Sequence, residues 1–196
     1  MHTEALEVLD FWFGPTDDPG HAMPRAQWFK KDDAFDALIV QRFGPLIHRA
    51  LVGEIDDWLT RPIEPLPALA RVIVLDQFTR NAFRGTARAF AGDAMALHTA
   101  RALVASGADR ALTGVQRQFS YLPFEHAEDL SHQRTSVQLF KQLGQDEPAL
   151  AGLEEWAQRH LDIVARFGRF PHRNAALGRE STAEEAAFLL TPGSGF

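Results

Sequence analysis

The sequence predicts an all-α fold: eight or nine helices in a single domain over residues 1–196, with no significant sheet. Three observations lead there. Apolar residues recur at three- and four-residue spacing through most segments. Glycine, proline and capping residues stand where those segments should begin and end. The run most suited to a strand, Arg71–Leu75, lies inside an apolar pattern longer than a strand sustains.

Thr3–Phe13 sets Leu6, Leu9 and Phe13 at helical spacing, and Gly14 with Pro15 ends it. Thr16–Arg25, with Pro19, Gly20 and Pro24, reads as a loop. Asp32 or Asp33 caps a helix running to Phe43; Gly44 and Pro45 interrupt it, and a short helix with Leu46, Ile47 and Ala50 follows, stopping near Gly53. Thr60–Pro67 is a second loop, rich in proline. Ala68–Phe83 is a helix carrying Leu69, Val72, Ile73, Leu75 and Phe78, stopped by Gly85. Alanine-rich Arg88–Ser106 is closed by Gly107. Thr113–Tyr121 opens another helix, which Pro123 either kinks or restarts. Ser131–Leu143 ends at Gly144, and Glu147–Phe167, the longest, ends at Gly168. Ser181 and Glu184 form a capping-box pattern ahead of Ala186–Leu190, and the tail from Thr191 is irregular. No repeat of solenoid length is visible.

A chain of 196 residues buries enough surface to need no staple. It contains no cysteine, which excludes disulfides, thiolate metal sites and thiol nucleophiles and suits a reducing, cytoplasmic setting. The start carries Glu4, Glu7 and Asp10 without a basic flank and apolar run, so no secretory signal is expected. No stretch approaches the ~20 apolar residues of a membrane span. A net charge of -6 argues against a nucleic-acid partner. No Gly-rich phosphate loop, zinc-protease His pair or nucleophile-elbow serine occurs, and no cofactor is implied.

Three polar segments carry the functional case. In Asp76–Thr86, helical spacing puts Gln77, Arg80, Asn81 and Arg84 on one face, two guanidinium forks and two amides suited to carboxylate or phosphate, with Leu75, Phe78 and Ala82 turned to the core. The plainer alternative is an Asp76–Arg80 pair on a solvated surface. In Tyr121–His132, Glu125, His126, Glu128, Asp129 and His132 gather; a carboxylate such as Asp129 could orient His126 for acid–base catalysis. Asp129 with His132 resembles half of a bundle metal site, but the helix bearing Glu154, Glu155, His160 and Asp162 offers no matching carboxylate-x-x-His, so no metal is assigned. A merely solvated acidic face is the alternative. In Arg166–Arg179, Arg169, His172, Arg173 and Asn174 crowd a short loop after Gly168, the most electropositive stretch of the chain. These cations could instead satisfy helix-end carbonyls. Phe11-Trp12-Phe13 and Trp28-Phe29 are assigned to packing.

Over nearly its whole length the chain resembles the bacterial domain-of-unknown-function family numbered 924. The likeness lies in Val8-Leu-Asp-Phe-Trp-Phe-Gly14, Trp28-Phe-Lys-Lys-Asp32, Leu75-Asp-Gln-Phe-Thr-Arg-Asn-Ala-Phe-Arg-Gly85, Tyr121-Leu-Pro-Phe-Glu-His-Ala-Glu-Asp-Leu130, Arg166-Phe-Gly-Arg-Phe-Pro-His-Arg-Asn174 and Pro192-Gly-Ser-Gly-Phe196. Thr79 stands where the family pattern has proline. The resemblance implies antiparallel helix pairs in a tetratricopeptide-like arrangement, and no activity.

Three readings follow. The first is a site for a small anionic molecule between helices, gripped by Arg80, Asn81, Arg84, His172, Arg173 and Asn174, with Glu125, His126 or Asp129 as acid or base. The second is a helical scaffold that meets an acidic peptide. The third is a buried salt-bridge network with no ligand.

Overall fold

The computed structural model describes residues 2–195; Met1 and Phe196, the last residue of the C-terminal motif, lie outside the described residues. The fold is all-α. Among the described residues there are nine α-helices and no strand. They fall into two compact units, one made of the chain up to Arg84 with Arg88–Pro123, the other of Gly85–Ala87 with the chain from Phe124 onward.

The first unit begins with α1 (Thr3–Phe13) and α2 (Asp33–Leu51). Asp32, not Asp33, caps α2, accepting the backbone N–H groups of Ala34 and Phe35. Pro45 does not break α2, contrary to the sequence expectation. A mid-helix proline costs ~3 kcal/mol, and complete burial of Ile47 and Ala50 on the turn that follows offsets it. Next, α3 (Pro65–Val72) starts two residues before the expected loop ends, because Pro65 occupies the first turn where its missing N–H is not needed. From α3 the chain runs without interruption through a π-helical stretch, Ile73–Phe78, into α4 (Thr79–Ala82). Then come α5 (Asp93–Ser106) and α6 (Gly114–Glu125), which carries Pro123 within it. The expected helix from Arg88 is a 3-10 turn, Ala87–Phe90, before α5. Gly92 separates the two. A Cβ there would lie 2.1 Å from the Leu75 carbonyl oxygen, so only glycine lets this backbone meet the π stretch.

The core of the first unit is aromatic, as expected for Trp12, Phe13 and Trp28, whereas Phe29, also assigned to packing, stands 64% exposed. Trp12 lies 5.5 Å from Phe119 and 5.6 Å from Phe78, both edge-on, and 6.0 Å from Trp28 in a stack. The Trp28 Nε1–H donates to the Trp12 carbonyl at 3.2 Å.

The second unit is built on α7 (Leu130–Asp146) and α8 (Leu153–Phe167), an antiparallel hairpin closed by the turn Pro148–Leu150. Gly144 does not end α7. It lies inside the helix, where a Cβ would come within 2.7 Å of Ala151 Cα, so the residue serves close approach to the turn. The longest helix is α2 rather than the one ending at Phe167. After a 3-10 turn at Pro171–Arg173, α9 (Ala183–Leu189) is capped by Thr182 and Glu185, one residue later than the Ser181–Glu184 box expected. Thr182 is the residue that α9's first turn leaves in extended backbone, the geometry a cap needs. Phe170 and Val164 form a small apolar core with Phe167 and Phe188 against it.

Candidate functional site

The first polar segment belongs to the π stretch and the turns after it. Arg84 Nε and Nη2 donate to the two Asp36 carboxylate oxygens at 2.7 and 2.9 Å, and Asn81 Nδ2 donates to the same carboxylate at 2.7 Å. Burial would raise the Asp36 carboxyl, but these donors outweigh it and hold it below the usual carboxylate range. Arg80 forks onto Asp93 at 2.9 and 3.1 Å and reaches Asp76 at 3.0 Å. Burial would lower the guanidinium pKa, and the two carboxylates overcome it. The Asp76–Arg80 pair weighed from sequence is present, yet it is not on a solvated surface: Asp76 is 0% exposed. Gln77 Nε2 donates to its second oxygen at 2.6 Å. Asp76, Gln77 and Asn81 on this polar face are buried while Arg84 stays exposed, and the face is knitted to α2 and α5 through carboxylates.

At the start of the second polar segment, Tyr121 still belongs to the first unit. Its hydroxyl donates to Asp109 at 2.6 Å and accepts from Arg117 Nε at 3.0 Å. Burial, with the Asp109 carboxylate added, pushes its pKa up to about 12.

The second segment from Phe124 onward and all of the third lie within the second unit. Glu128 is the joint. Its carboxylate accepts the Phe170 backbone N–H at 2.8 Å and both Arg179 Nη groups at 2.6 and 2.9 Å. Burial raises the Glu128 carboxyl, but Arg179 and the Phe170 N–H bring it below the ordinary range. Arg179 Nη2 also donates to the Phe170 carbonyl at 3.1 Å and Nε to Asn174 Oδ1 at 3.0 Å. Arg169 grips Glu185 at 2.6 and 2.8 Å, and Arg169 with the Thr182 N–H holds that carboxyl down at about 2. The loop from Phe170 to Arg179 is thus pinned on both sides, and it presents His172 and Arg173 on its 3-10 turn.

Inside this brace lies a group of ionisable side chains. Glu125, His160 and Arg173 are each about 5 to 6% exposed. His160 Nδ1 sits 2.8 Å from the Trp156 carbonyl and 3.4 Å from Glu125 Oε1. That approach is not an ion pair, because burial, assisted by His126, Arg173 and His172, drives the imidazole pKa down to about 3. A neutral ring whose Nδ1–H serves the carbonyl keeps Nε2 as an acceptor. His126 lies 6.4 Å from His160 between ring centroids. The Arg173 guanidinium lies 4.5 Å over the Phe170 ring, with His172 and His160 each 5.6 Å from that ring.

Asp129, expected beside His126 as an acid or base, has another task. It caps α7, accepting from the backbone of Ser131 and His132 and from the Ser131 hydroxyl, and these bonds lower its pKa. The carboxylate near an imidazole is Glu125, and the imidazole is His160. Sequence reasoning passed over His160 except as a failed metal ligand. The available signal was its position: with Ala157 and Val164 it falls on the buried stripe of α8. Among the described residues no three His, Asp or Glu side chains converge as a metal-binding group. An open depression of about 270 Å³ on the first unit, lined by His2, Thr60, Glu64 and Pro67, contains none of the residues singled out from sequence. No described helix is long and apolar enough to cross a membrane.

A family model described as "Bacterial protein of unknown function (DUF924)" matches residues 8–193. A solved structure of a protein of unknown function from Agrobacterium tumefaciens is similar at 40% sequence identity, with a TM-score of 0.81 over 95% of this chain and 97% of that one. No curated protein matches.

Proposed function

The chain belongs to the bacterial DUF924 family, and from that premise we propose that it is a cytoplasmic protein binding a small anionic ligand at the Glu125–His126–His160–His172–Arg173 cluster. One observation carries the reading: Glu125, His160 and Arg173 are gathered at 5 to 6% exposure, with half-buried His126 and His172 on the same unit, where apolar side chains would pack more cheaply. Arg173, laid over Phe170, is the anion's counter-charge. Glu125 and His126 are the candidate acid and base, and His160 Nε2 accepts a hydrogen bond. Arg80 and Arg84 with Gln77 and Asn81 serve Asp36, Asp76 and Asp93, and Arg169 with Asn174 braces the loop. The absence of cysteine supports the cytoplasmic setting.

The test is a thermal-shift panel of carboxylates, phosphorylated metabolites and an acidic peptide, on wild type, Arg173→Lys and Arg173→Ala. A ligand at a hundred times its Kd adds ~2.7 kcal/mol, at roughly 2–4 °C per kcal/mol for a chain of this size. The reading predicts a shift that Arg173→Ala loses. Silence from every compound, with both variants destabilised, would leave the cluster as a salt-bridge network. The braced ion pairs around Glu128 and Glu185 favour that second reading. A response to the acidic peptide alone would make the chain a tetratricopeptide-like scaffold.

A further inference from the structure

We infer that the outward face of α2 is an interaction surface for a second copy of this chain, and that the two helices pack antiparallel about a dyad at Gln41. On this helix Phe35, Ile39, Phe43, Leu46, Ile47 and Ala50 are buried in the core. Opposite them Ala34, Leu38, Gln41, Pro45, His48 and Val52 follow one another at alternating steps of four and three residues. All six are exposed, Leu38 at 40% and Val52 at 71%. That is the spacing by which one helix lays a continuous seam against another, and it runs about 27 Å at ~1.5 Å per residue. None of the six is an acid, a lysine or an arginine. The solvent face of an amphipathic helix ordinarily carries the charges, and 23% of this chain is charged. The charges that flank the seam are drawn to their own molecule. Asp36 holds Arg84, Arg49 reaches Glu4 and Glu54 at 2.7 and 3.4 Å, and Arg42 lies over the Phe11 and Phe43 rings at 4.9 and 5.2 Å.

The face is complementary to itself. Pro45 has no N–H to give to the Gln41 carbonyl, so the exposed turn around Gln41 carries a backbone acceptor that the four-residue step of the helix does not fill. At a dyad through Gln41 each side-chain amide, donor and acceptor at once, reaches the other copy's amide and that carbonyl. Antiparallel pairing about this point sets Leu38 against Pro45 of the second copy, apolar on apolar. It also brings the start of α2, at Asp33 and Ala34, beside His48 of the second copy. The Asp33 side chain is 82% exposed and its partner, Lys31 at 3.1 Å, is exposed beside it, so the carboxylate remains open to a further donor. The imidazole that would supply it lies parallel to Phe83 at 6.1 Å and is exposed. Parallel pairing would instead bring Asp33 to Asp33 and His48 to His48. Antiparallel helices also oppose their dipoles. A single helix pair falls short of the ~1,200 Å² that a stable interface buries, so the dimer is weak and concentration-dependent.

Analytical ultracentrifugation of the full chain, from low micromolar to near-millimolar concentration, should show a reversible monomer–dimer equilibrium. Leu38→Glu and Ala34→Arg each put a charge into the seam and should raise the dimer Kd ~tenfold or more. Their thermal midpoints in dilute solution should stay near wild type, because both positions are exposed. The chain has no cysteine, so Gln41→Cys carries a single thiol. A disulfide needs Cα atoms roughly 4.4–6.8 Å apart, and along an antiparallel seam only a residue at the dyad comes that close to its own copy. Mild oxidation should therefore link Gln41→Cys into a covalent dimer and leave Lys141→Cys, at an exposed position of α7, monomeric. A chain that stays monomeric throughout the concentration range overturns the inference. A dimer indifferent to both charge substitutions, or Gln41→Cys linking no faster than Lys141→Cys, places the contact elsewhere and overturns it as well.

Discussion

At the scale of single residues, His160 is the most informative side chain. Its pKa of about 3 lies below the ~6.5 of an unfolded histidine, so the unfolded chain binds the extra proton between those values. Stability from this residue is complete above about pH 6.5 and declines as pH falls towards 3, by up to ~1.4 kcal/mol per pH unit. We expect His160→Gln to flatten the pH dependence of urea unfolding between pH 6 and 4; an unchanged slope would remove the role assigned to burial. Glu128 is the second test. Replacing it by Gln keeps the size but leaves Arg179 without its carboxylate, and should cost about 1.5–3 kcal/mol, measured by denaturant midpoint at constant m-value. Neither residue was prominent in the sequence. His160 hides as one polar letter on an apolar stripe, and Glu128 is one acid in an acidic run; the partner that gives each its meaning is distant along the chain.

At the scale of elements, two glycines act as spacers at seams: Gly144, expected to end a helix, and Gly92, which falls inside the helix expected from Arg88. Gly92 admits the Leu75 carbonyl and Gly144 admits the Pro148–Leu150 turn. Gly92→Ala should destabilise by ~1–3 kcal/mol or more, because overpacking against backbone has no flexible side chain to yield. Gly144→Ala meets Ala151 Cα and should show the same sign, read by thermal unfolding. If either variant were as stable as wild type, the close approach would not hold. The π stretch at Ile73–Phe78 belongs to the same scale. Periodicity gave a helix there, correctly, but a helix-period pattern does not distinguish a five-residue hydrogen-bond step from a four-residue one. That step, together with packing against α2 and α5, buries Asp76 and Gln77 instead of leaving them on a wet face.

For the whole molecule, the groups shifted below neutral pH act in one direction. Asp36, Glu128 and Glu185 are held below their ordinary values, so each contributes stability above its unfolded pKa and loses it as pH falls through the folded one. His160 adds the same sign in a higher window. The thermal midpoint should therefore rise steadily from pH 3 to pH 7, first through carboxylate ionisation and then through histidine deprotonation. A midpoint that peaked below pH 5 would contradict these assignments together.

The sequence by itself determined the helical class, the approximate position of most helices and the aromatic core, because periodicity and turn chemistry are local and repeat along the chain. It also marked the polar segments at Asp76–Thr86, Tyr121–His132 and Arg166–Arg179 as richer than surface solubility requires. Only the tertiary structure decided what those segments do to one another. It set Arg84 on Asp36, Arg179 on Glu128 and Glu125 beside His160, pairs separated by tens of residues. Charge pairing and desolvation depend on distance in space, which residue spacing along one helix does not encode.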